Sequence, residues 1–504
     1  MMRTLFAIAS TLLLAIPAVP IAAQNRQHTT ADAKQAATIP QNVTVKWDQV
    51  LCVSRANATL QVVVTPLMAR DSPLHDQVWS ALKNLHASYV RYVPWLPYPK
   101  LAVAELQPPA DGLTSWDLSL IDPFTIDFFK ANPQLPVIIN FSTIPQWMFK
   151  TSQPVAYPSN PHQAVWNYTQ GTELRDPSMK ELGSYFARVV SWYTKGGFND
   201  ELGHWHASGH HFTFDYWEVL NEIDNEHKMT PEQYTARYDA IVSAIRTVQP
   251  QMKFVGLALG GLNGKYFEYF LNPANHKPGT PLDMISYHFY ATPVADQPED
   301  SWQYTVFDQS TNFIRMVEYV DAIRQRLSPN TKTTVDELGV IAPADTPNSV
   351  FQPLPAFYWN LCAAQYAYLY SELARLGIDA VGESALMQPP KFFPSVSMMD
   401  WNTGKPNARY WALKLIRDNL GPGDKIVATT ATPTVYARGF ITSAGKKKLL
   451  LVNMRDHAAD VHIAGTAGSR EEYVDQEYDQ PASRNLNTDT IRLRAFTVAV
   501  VTLP

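Results

Sequence analysis

The strongest constraint on this chain is a rhythm of eight short, nearly wholly apolar runs, each but the second followed by a plausible amphipathic helix. The runs are LQVVVTPL (60–67), ASYVRYVPW (87–95), LPVIINFS (135–142), FDYWEVLNE (214–222), KFVGLALGG (253–261), DMISYHFY (283–290), TKTTVDELGV (331–340) and GIDAVGESALM (377–387). Strands apolar on both faces belong to a parallel sheet covered on its outside. Eight such units over residues 58–421 predict a closed (β/α)8 TIM barrel, the α/β architecture that such a repeat can close into. The helix after the fourth run has a clear start at Thr230-Pro231-Glu232-Gln233, a capping box with proline in the first turn. No GxGxxG follows the first run, which argues against a dinucleotide-binding fold.

From residue 422 the period changes to two. IVATTA, TVYARGFI, KKLLLVNMR, ADVHIAG, TIRLRA and FTVAVVTLP read as antiparallel strands of a small all-β sandwich, 422–504. That domain is short for a sandwich, so the strand-like segment 41–57 is expected to fold back and complete it. The lysines at 446 to 448 mark a hairpin tip.

Residues 1–23 have Arg3, an apolar stretch from Leu5 to Ile16, a proline break and small residues at Ala22 and Ala23, the pattern of a cleaved export signal. Residues 24–40 read as a disordered leader, and no later segment is long and apolar enough to span a membrane. A secreted or periplasmic protein is the expectation, with its oligomeric state open. A net charge of -5 without basic runs excludes an electrostatic footprint for nucleic acid. Two cysteines, Cys52 and Cys362, exclude a disulfide scaffold and a cysteine metal site, and leave open whether they pair. Sequons stand at Asn42, Asn57, Asn140 and Asn167, with Asn140 at the end of a core strand and read as structural. His204, His206, His210 and His211 cluster before the fourth strand and read as a rim segment; no metal or organic cofactor is expected.

Two of the strand ends carry carboxylates: Asn221-Glu222 on the fourth and Asp336-Glu337 on the seventh. The C-terminal rim is where barrel enzymes keep their chemistry. Two carboxyls brought together there are what glycoside cleavage requires, one to protonate the leaving oxygen and one to attack or to activate water. Each could instead be a solvated glutamate closing a strand. Arg91 is a charge inside an apolar strand, costly unless a carboxylate at the barrel mouth pairs with it. His288 and Tyr290 point to one side by period-two alternation. Trp217, Tyr216 and Trp147 are candidate apolar walls for a raised acid pKa.

With WEVLNE, SYHFY and VDELG in place, the chain resembles glycoside hydrolases of the large retaining barrel clan A, and most of all family 39, the β-xylosidases and α-L-iduronidases. The resemblance runs from the first barrel strand through the C-terminal β-domain. It implies Glu222 as acid/base, Glu337 as nucleophile, Arg91 beside the nucleophile, and Asn221, His288 and Tyr290 around the sugar. It departs from the clan at strand eight, where GESALM offers Glu383 in place of a tryptophan that floors the sugar site. Either Trp401 in the following loop substitutes, or Glu383 contacts the sugar or serves as a third acidic group. Asn221-Glu222-Ile223 also replaces the Asn-Glu-Pro common in family 39. A β-xylosidase-like glycoside substrate is favoured. A glucosidase, arabinosidase or uronidase of the same clan, or an inactive carbohydrate-binding barrel, remains as the alternative.

Overall fold

The computed structural model describes residues 40–504, apart from 152–155, 167–170, 344, 348, 351, 431, 478 and 479. The expected export signal, the leader up to residue 39 and the sequon at Asn167 lie outside the described residues.

Eight parallel strands close into a barrel: β1 (Asn57–Val63), β2 (Val90–Val93), β3 (Val137–Ile139), β4 (Tyr216–Glu218), β5 (Lys253–Leu259), β6 (Met284–Ala291), β7 (Lys332–Val340) and β8 (Ala380–Glu383). Around them run α1 (His75–Leu85), α2 (Asp122–Ala131), α3 (Lys180–Lys195), α4 (Pro231–Val248), α5 (Gly264–Phe270), α6 (Trp302–Leu327), α7 (Tyr358–Arg375) and α8 (Ala408–Asn419). The helix after β2 is the one the sequence did not announce, because the loop 94–121 separates it from its strand. It begins at Asp122-Pro123, and its Phe128 stacks on Tyr92 of β2 at 4.7 Å. The capping box at α4 forms, with Thr230 accepting from the Gln233 amide.

Strand alternation sorts the side chains between the barrel interior and the helix layer. On β4, Trp217 packs outward among Phe141, Phe186 and Phe214. Tyr216 packs instead with Ile138, Val255 and Met284, one residue each from β3, β5 and β6. Above that layer the interior turns polar, with Glu218 and Ser286 hydrogen-bonded to each other across it.

The C-terminal region, with the segment 41–53, forms a two-sheet sandwich that is antiparallel except for the pairing of Gln41–Asn42. Its larger sheet has seven strands in the order Ala482–Asn485, Arg470–Val474, Val498–Thr502, Lys447–Asn453, Val435–Ile441, Lys425–Thr429 and Val45–Val53. The smaller sheet holds Gln41–Asn42, Ala459–His462 and Thr490–Leu493. Val43, Leu449, Val461, Ile491 and Val501 share the core between them. Arg470–Val474 and Ala482–Asn485 are strands that the sequence analysis omitted, since their charged and small residues lack apolar alternation.

Candidate functional site

Arg91 is the hub of the barrel's C-terminal end. It projects from β2 into the interior and is 1 % exposed. Its Nε donates to Glu218 Oε2 at 2.5 Å and lies 3.3 Å from Asp336 Oδ2. Nη1 donates to Glu337 Oε1 at 2.5 Å, and Nη2 to Asn221 Oδ1 at 2.6 Å. Burial works against the guanidinium's charge, but Glu218, Asp336 and Glu337 outweigh it and raise its pKa. The cost of a buried arginine is met by three carboxyls rather than one.

Asp336 and Glu337 are consecutive, so regular alternation would send them to opposite faces. A register shift prevents this: Tyr287 of β6 pairs with Val335, and His288 with Glu337, leaving Asp336 as the extra residue of a bulge. Both carboxyls thereby reach the interior. Burial and then Glu218 push Asp336 well above its ordinary value. Glu218 ends below its own, because Arg91, Asp336 and its other hydrogen-bond donors outweigh burial. The pair carries one proton between its two carboxyls.

Glu337 is held by Gln61 Nε2 (2.5 Å) and Arg91 on Oε1, and by the Tyr290 hydroxyl (2.7 Å) on Oε2. Ser384 lies 2.8 Å from that hydroxyl and donates to Gln61 Oε1 at 2.6 Å, fixing both donors. An oxygen of Glu222, an oxygen of Glu337 and a nitrogen of His288 all lie within 4.8 Å of one another. His288 Nδ1 is 3.0 Å from Glu222 Oε1 and 3.5 Å from Glu337 Oε2, and its Nε2 is 3.5 Å from Asp336 Oδ1.

Burial alone would discharge the His288 imidazole. Glu337, the Glu222 hydrogen bond and Asp336 reverse that and lift its pKa to about 9. Glu222 is pushed up by burial, but His288 and Asn225 prevail and hold it below the usual carboxylate range. In the free site these two therefore form an ion pair, with the shared proton on the imidazole.

The tip of β4 is bent to deliver these groups. Leu220 and Glu222 have φ of 67° and 37°, left-handed values that cost a non-glycine residue energy and that collect at functional sites. The Asn140 amide ties the bend down, donating to Leu220 O at 2.9 Å and to Glu218. Opposite, Gly260 must be glycine: a Cβ there would lie 2.2 Å from Asn225 Nδ2 and 3.0 Å from the Glu222 carboxyl.

These groups open into a cavity of about 500 Å³. Gln61, Asn221, Glu222, Glu226, Tyr290, Glu337 and Ser384 line its polar side, and Val63, Val93, Trp95, Trp166, Phe393 and Val396 its apolar side. Trp166 meets Trp95 edge to face at 5.6 Å and Phe393 at 5.7 Å. Aromatic walls with a few convergent polar groups are how small-molecule sites are built.

Of the residues singled out in the sequence, Asn221, Glu222, Arg91, His288, Tyr290 and Glu337 come together here. Three do not. Trp147 is turned away, with Nε1 donating to Glu105 O at 2.9 Å and Arg175 over its ring at 4.4 Å. Trp401 is half-buried against the core and is not among the lining residues. Glu383 is fully buried in an ion pair with Arg409 (Nε to Oε1, 2.8 Å), and burial lifts it to about 7 despite that partner. Tyr216 and Trp217 are core rather than walls.

Sequence reasoning missed Gln61, Trp95, Trp166, Phe393, Ser384 and Glu226. Gln61 had a signal, a polar residue inside an apolar strand as Arg91 is. The aromatic residues lie in loops and had none.

Among the described residues, the remaining histidines and cysteines form no competing metal cluster. His204 and His206 lie 3.5 and 3.0 Å from Asp200, and His210 is 3.3 Å from Asp122. Cys52 and Cys362 are free thiols. Among the described residues, the one cluster able to offer metal ligands is Glu222, His288 and Glu337. Its donor set suits an ion poorly. Its groups are already engaged with one another and with side-chain donors: Gln61, Arg91 and Tyr290 hydrogen-bond Glu337, and His288 Nδ1 and Asn225 Nδ2 contact Glu222.

No protein-family model matches the chain, and no curated protein matches it in sequence. Solved structures do resemble it. A GH51 arabinofuranosidase from Xanthomonas axonopodis pv. citri superposes with a TM-score of 0.64 at 12 % identity, over 93 % of this chain and 100 % of that one. A glucosidase from Croceicoccus marinus gives 0.58 at 14 % identity, over 92 % and 99 %. The catalytic domain of GH30 xylanase C from Talaromyces cellulolyticus gives 0.56 at 11 %, over 92 % and 100 %. At these identities the likeness is one of fold, and it takes in the barrel and the sandwich together.

Proposed function

We propose that this chain is a retaining glycoside hydrolase, with Glu337 as nucleophile and Glu222 as acid/base. The observation that carries the reading is the approach of a Glu222 oxygen to within 4.8 Å of a Glu337 oxygen, in a cavity at the C-terminal end of the closed barrel. Retaining enzymes hold their two carboxyls about 5–5.5 Å apart, whereas inverting ones leave about 6.5–9.5 Å for a water. Neighbours of the same fold that are described as arabinofuranosidase, xylanase and glucosidase support it.

In this reading Glu337, aimed by Gln61, Arg91 and Tyr290, attacks the anomeric carbon while Glu222 protonates the departing oxygen. The proton comes through the 3.0 Å contact with His288: Nδ1–H passes to Glu222 Oε1, and Glu222 relays that proton to the departing oxygen. Glu222 then takes a proton from the water that releases the sugar, and returns one to His288. Asn221 binds the hydroxyl next to the anomeric carbon, a contact that tightens as the oxocarbenium-like state forms. Trp95, Trp166 and Phe393 cover the apolar faces of the sugar.

The substrate is a neutral glycoside, with a β-xyloside favoured and β-glucosides or arabinosides next. Among the described residues, the carboxyl groups lining the cavity are Glu222, Glu226 and Glu337, and no lysine, arginine or histidine lines it to receive a uronate carboxylate. The export-signal pattern of residues 1–23 supports action outside the cytoplasm.

The test is hydrolysis of aryl β-xyloside, β-glucoside, β-galactoside, α-L-arabinoside, α-L-iduronide and β-glucuronide, with EDTA present, by wild type and Glu337→Gln. Turnover of a neutral glycoside that falls by at least about a thousandfold in the variant is expected. Turnover surviving Glu337→Gln would remove Glu337 from the reaction.

A further inference from the structure

Glu226 follows the acid/base by one helical turn and has no place in the two-carboxyl mechanism, yet it lines the same cavity. Its backbone N–H donates to Glu222 O at 2.7 Å, fixing it to the bent tip of β4. Its Oε1 accepts from two donors: Asn221 Nδ2 at 2.9 Å and Trp95 Nε1. Asn221 in turn accepts from Arg91, which donates to Glu337. One hydrogen-bonded line thus runs from the aromatic wall through Glu226, Asn221 and Arg91 to Glu337.

We propose that Glu226 is a positioning residue for the glycosidase reaction, a hydrogen-bond platform that fixes the amide of Asn221 and the indole of Trp95 against the sugar. This rests on the glycosidase reading above. An amide can present either its C=O or its N–H₂ to a ligand, and the two look alike in shape. Here Arg91 takes the Asn221 oxygen and Glu226 takes one N–H, so the second N–H is what remains for the sugar hydroxyl. Asn221 is therefore a donor in the site and cannot flip without breaking both contacts.

Glu226 does this as a neutral acid. Burial and the charge of Glu222 push its carboxyl well above the ordinary range. Its Oε2 is buried without a hydrogen-bond partner, a position tolerable for a neutral carboxyl and costly for a carboxylate. The platform needs only the Oε1 acceptor. Glutamine provides the same acceptor without the charge, and this separates Glu226 from Glu222 and Glu337, where loss of the carboxyl is loss of the reaction.

The experiment compares wild type, Glu226→Gln and Glu226→Ala on the preferred aryl glycoside and on its analogue lacking the hydroxyl next to the anomeric carbon, across the pH range. Glu226→Gln is expected to keep kcat/KM within about threefold and its pH profile unmoved, because the hydrogen-bond pattern is kept. Glu226→Ala is expected to lose about 10- to 100-fold on the parent and much less on the deoxy analogue, because Asn221 no longer presents its N–H. Equal losses in Glu226→Gln and Glu226→Ala would show that the charge is needed and overturn the platform. So would equal losses on parent and deoxy substrate, which would mark a general structural defect. A wild type inert on every glycoside is a separate outcome: it overturns the glycosidase reading, and the role of Glu226 falls with it.

Discussion

At the scale of the residue, the site turns on where one proton is kept. Glu222 is lowered in the free protein, the opposite of what a lone general acid needs at neutral pH. His288 resolves this, because its imidazolium holds the proton until about pH 9 and faces Glu222 across a hydrogen bond. The charged groups around His288 come from three strand ends: Asp336 and Glu337 on β7, Glu222 after β4, and Arg91 from β2 behind them. In His288→Gln the proton must reside on Glu222 itself, so the basic limb of kcat/KM is expected to move down from near 9 by at least about one unit. An unmoved limb would mean that His288 does not supply the proton. The same group leaves a stability signature. Its pKa is raised on folding, so its contribution is complete below 6.5 and is lost as pH rises through about 9. Wild type is expected to lose thermal stability over that window, and His288→Gln to lose less, as calorimetry at pH 6 and 9 would read.

At the scale of the element, β8 carries structure where the sequence suggested chemistry. Its tip holds Glu383, wholly buried against Arg409 of α8, whose guanidinium also donates to Ser384 O. The pair bolts the last barrel helix to the last barrel strand beneath the site. Glu383→Ala is expected to destabilise by about 3–5 kcal/mol, since it leaves a hole beside the buried Arg409 guanidinium and removes its side-chain acceptor. kcat/KM of the folded variant is expected to stay near that of wild type; a large rise in KM without thermal loss would put Glu383 back on the sugar. The contrast shows what was legible and why. Glu222 and Glu337 could be read because a strand's alternation and its polar end are local, written in consecutive residues. The same alternation put His288 and Tyr290 on one face. Glu383 stands in an equally apolar run, and only the long-range contact with Arg409 tells its role. Trp95 and Trp166 reach the cavity while Trp147 and Trp401 miss it, and their order along the loops gives no hint, because loop paths are set by what they pack against. The bulge at Asp336 was also invisible, for one extra residue in a ladder leaves no mark on composition.

At the scale of the whole molecule, the first described residues fasten the sandwich together. Val45–Val53 is the edge strand of the seven-stranded sheet, antiparallel to Lys425–Thr429. Gln41–Asn42 crosses to the other sheet and runs parallel to Ala459–His462, and between them Val43 enters the shared core at 4 % exposure. Trp47 lies under the Lys447 ammonium, and Cys52 Sγ contacts Arg375 O at the end of α7. One segment therefore touches both sheets and the barrel. Removing residues 40–53 would uncover the backbone of Lys425–Thr429 as a new edge, which invites pairing with a second chain. It would also open the core at Val43. The truncated chain is expected to melt about 5 °C or more below the full one and to associate on heating, seen by calorimetry with light scattering. None of these residues lines the cavity, so kcat/KM per folded molecule is expected to be unchanged. A truncated chain that melts with the full one would show that the sandwich closes without its N-terminal strand. Lost activity at unchanged melting temperature would show instead that the sandwich steadies the rim of the barrel, through contacts such as Arg438 with Glu372 (2.5 Å) and the Asp456 amide with Gln303 (3.0 Å).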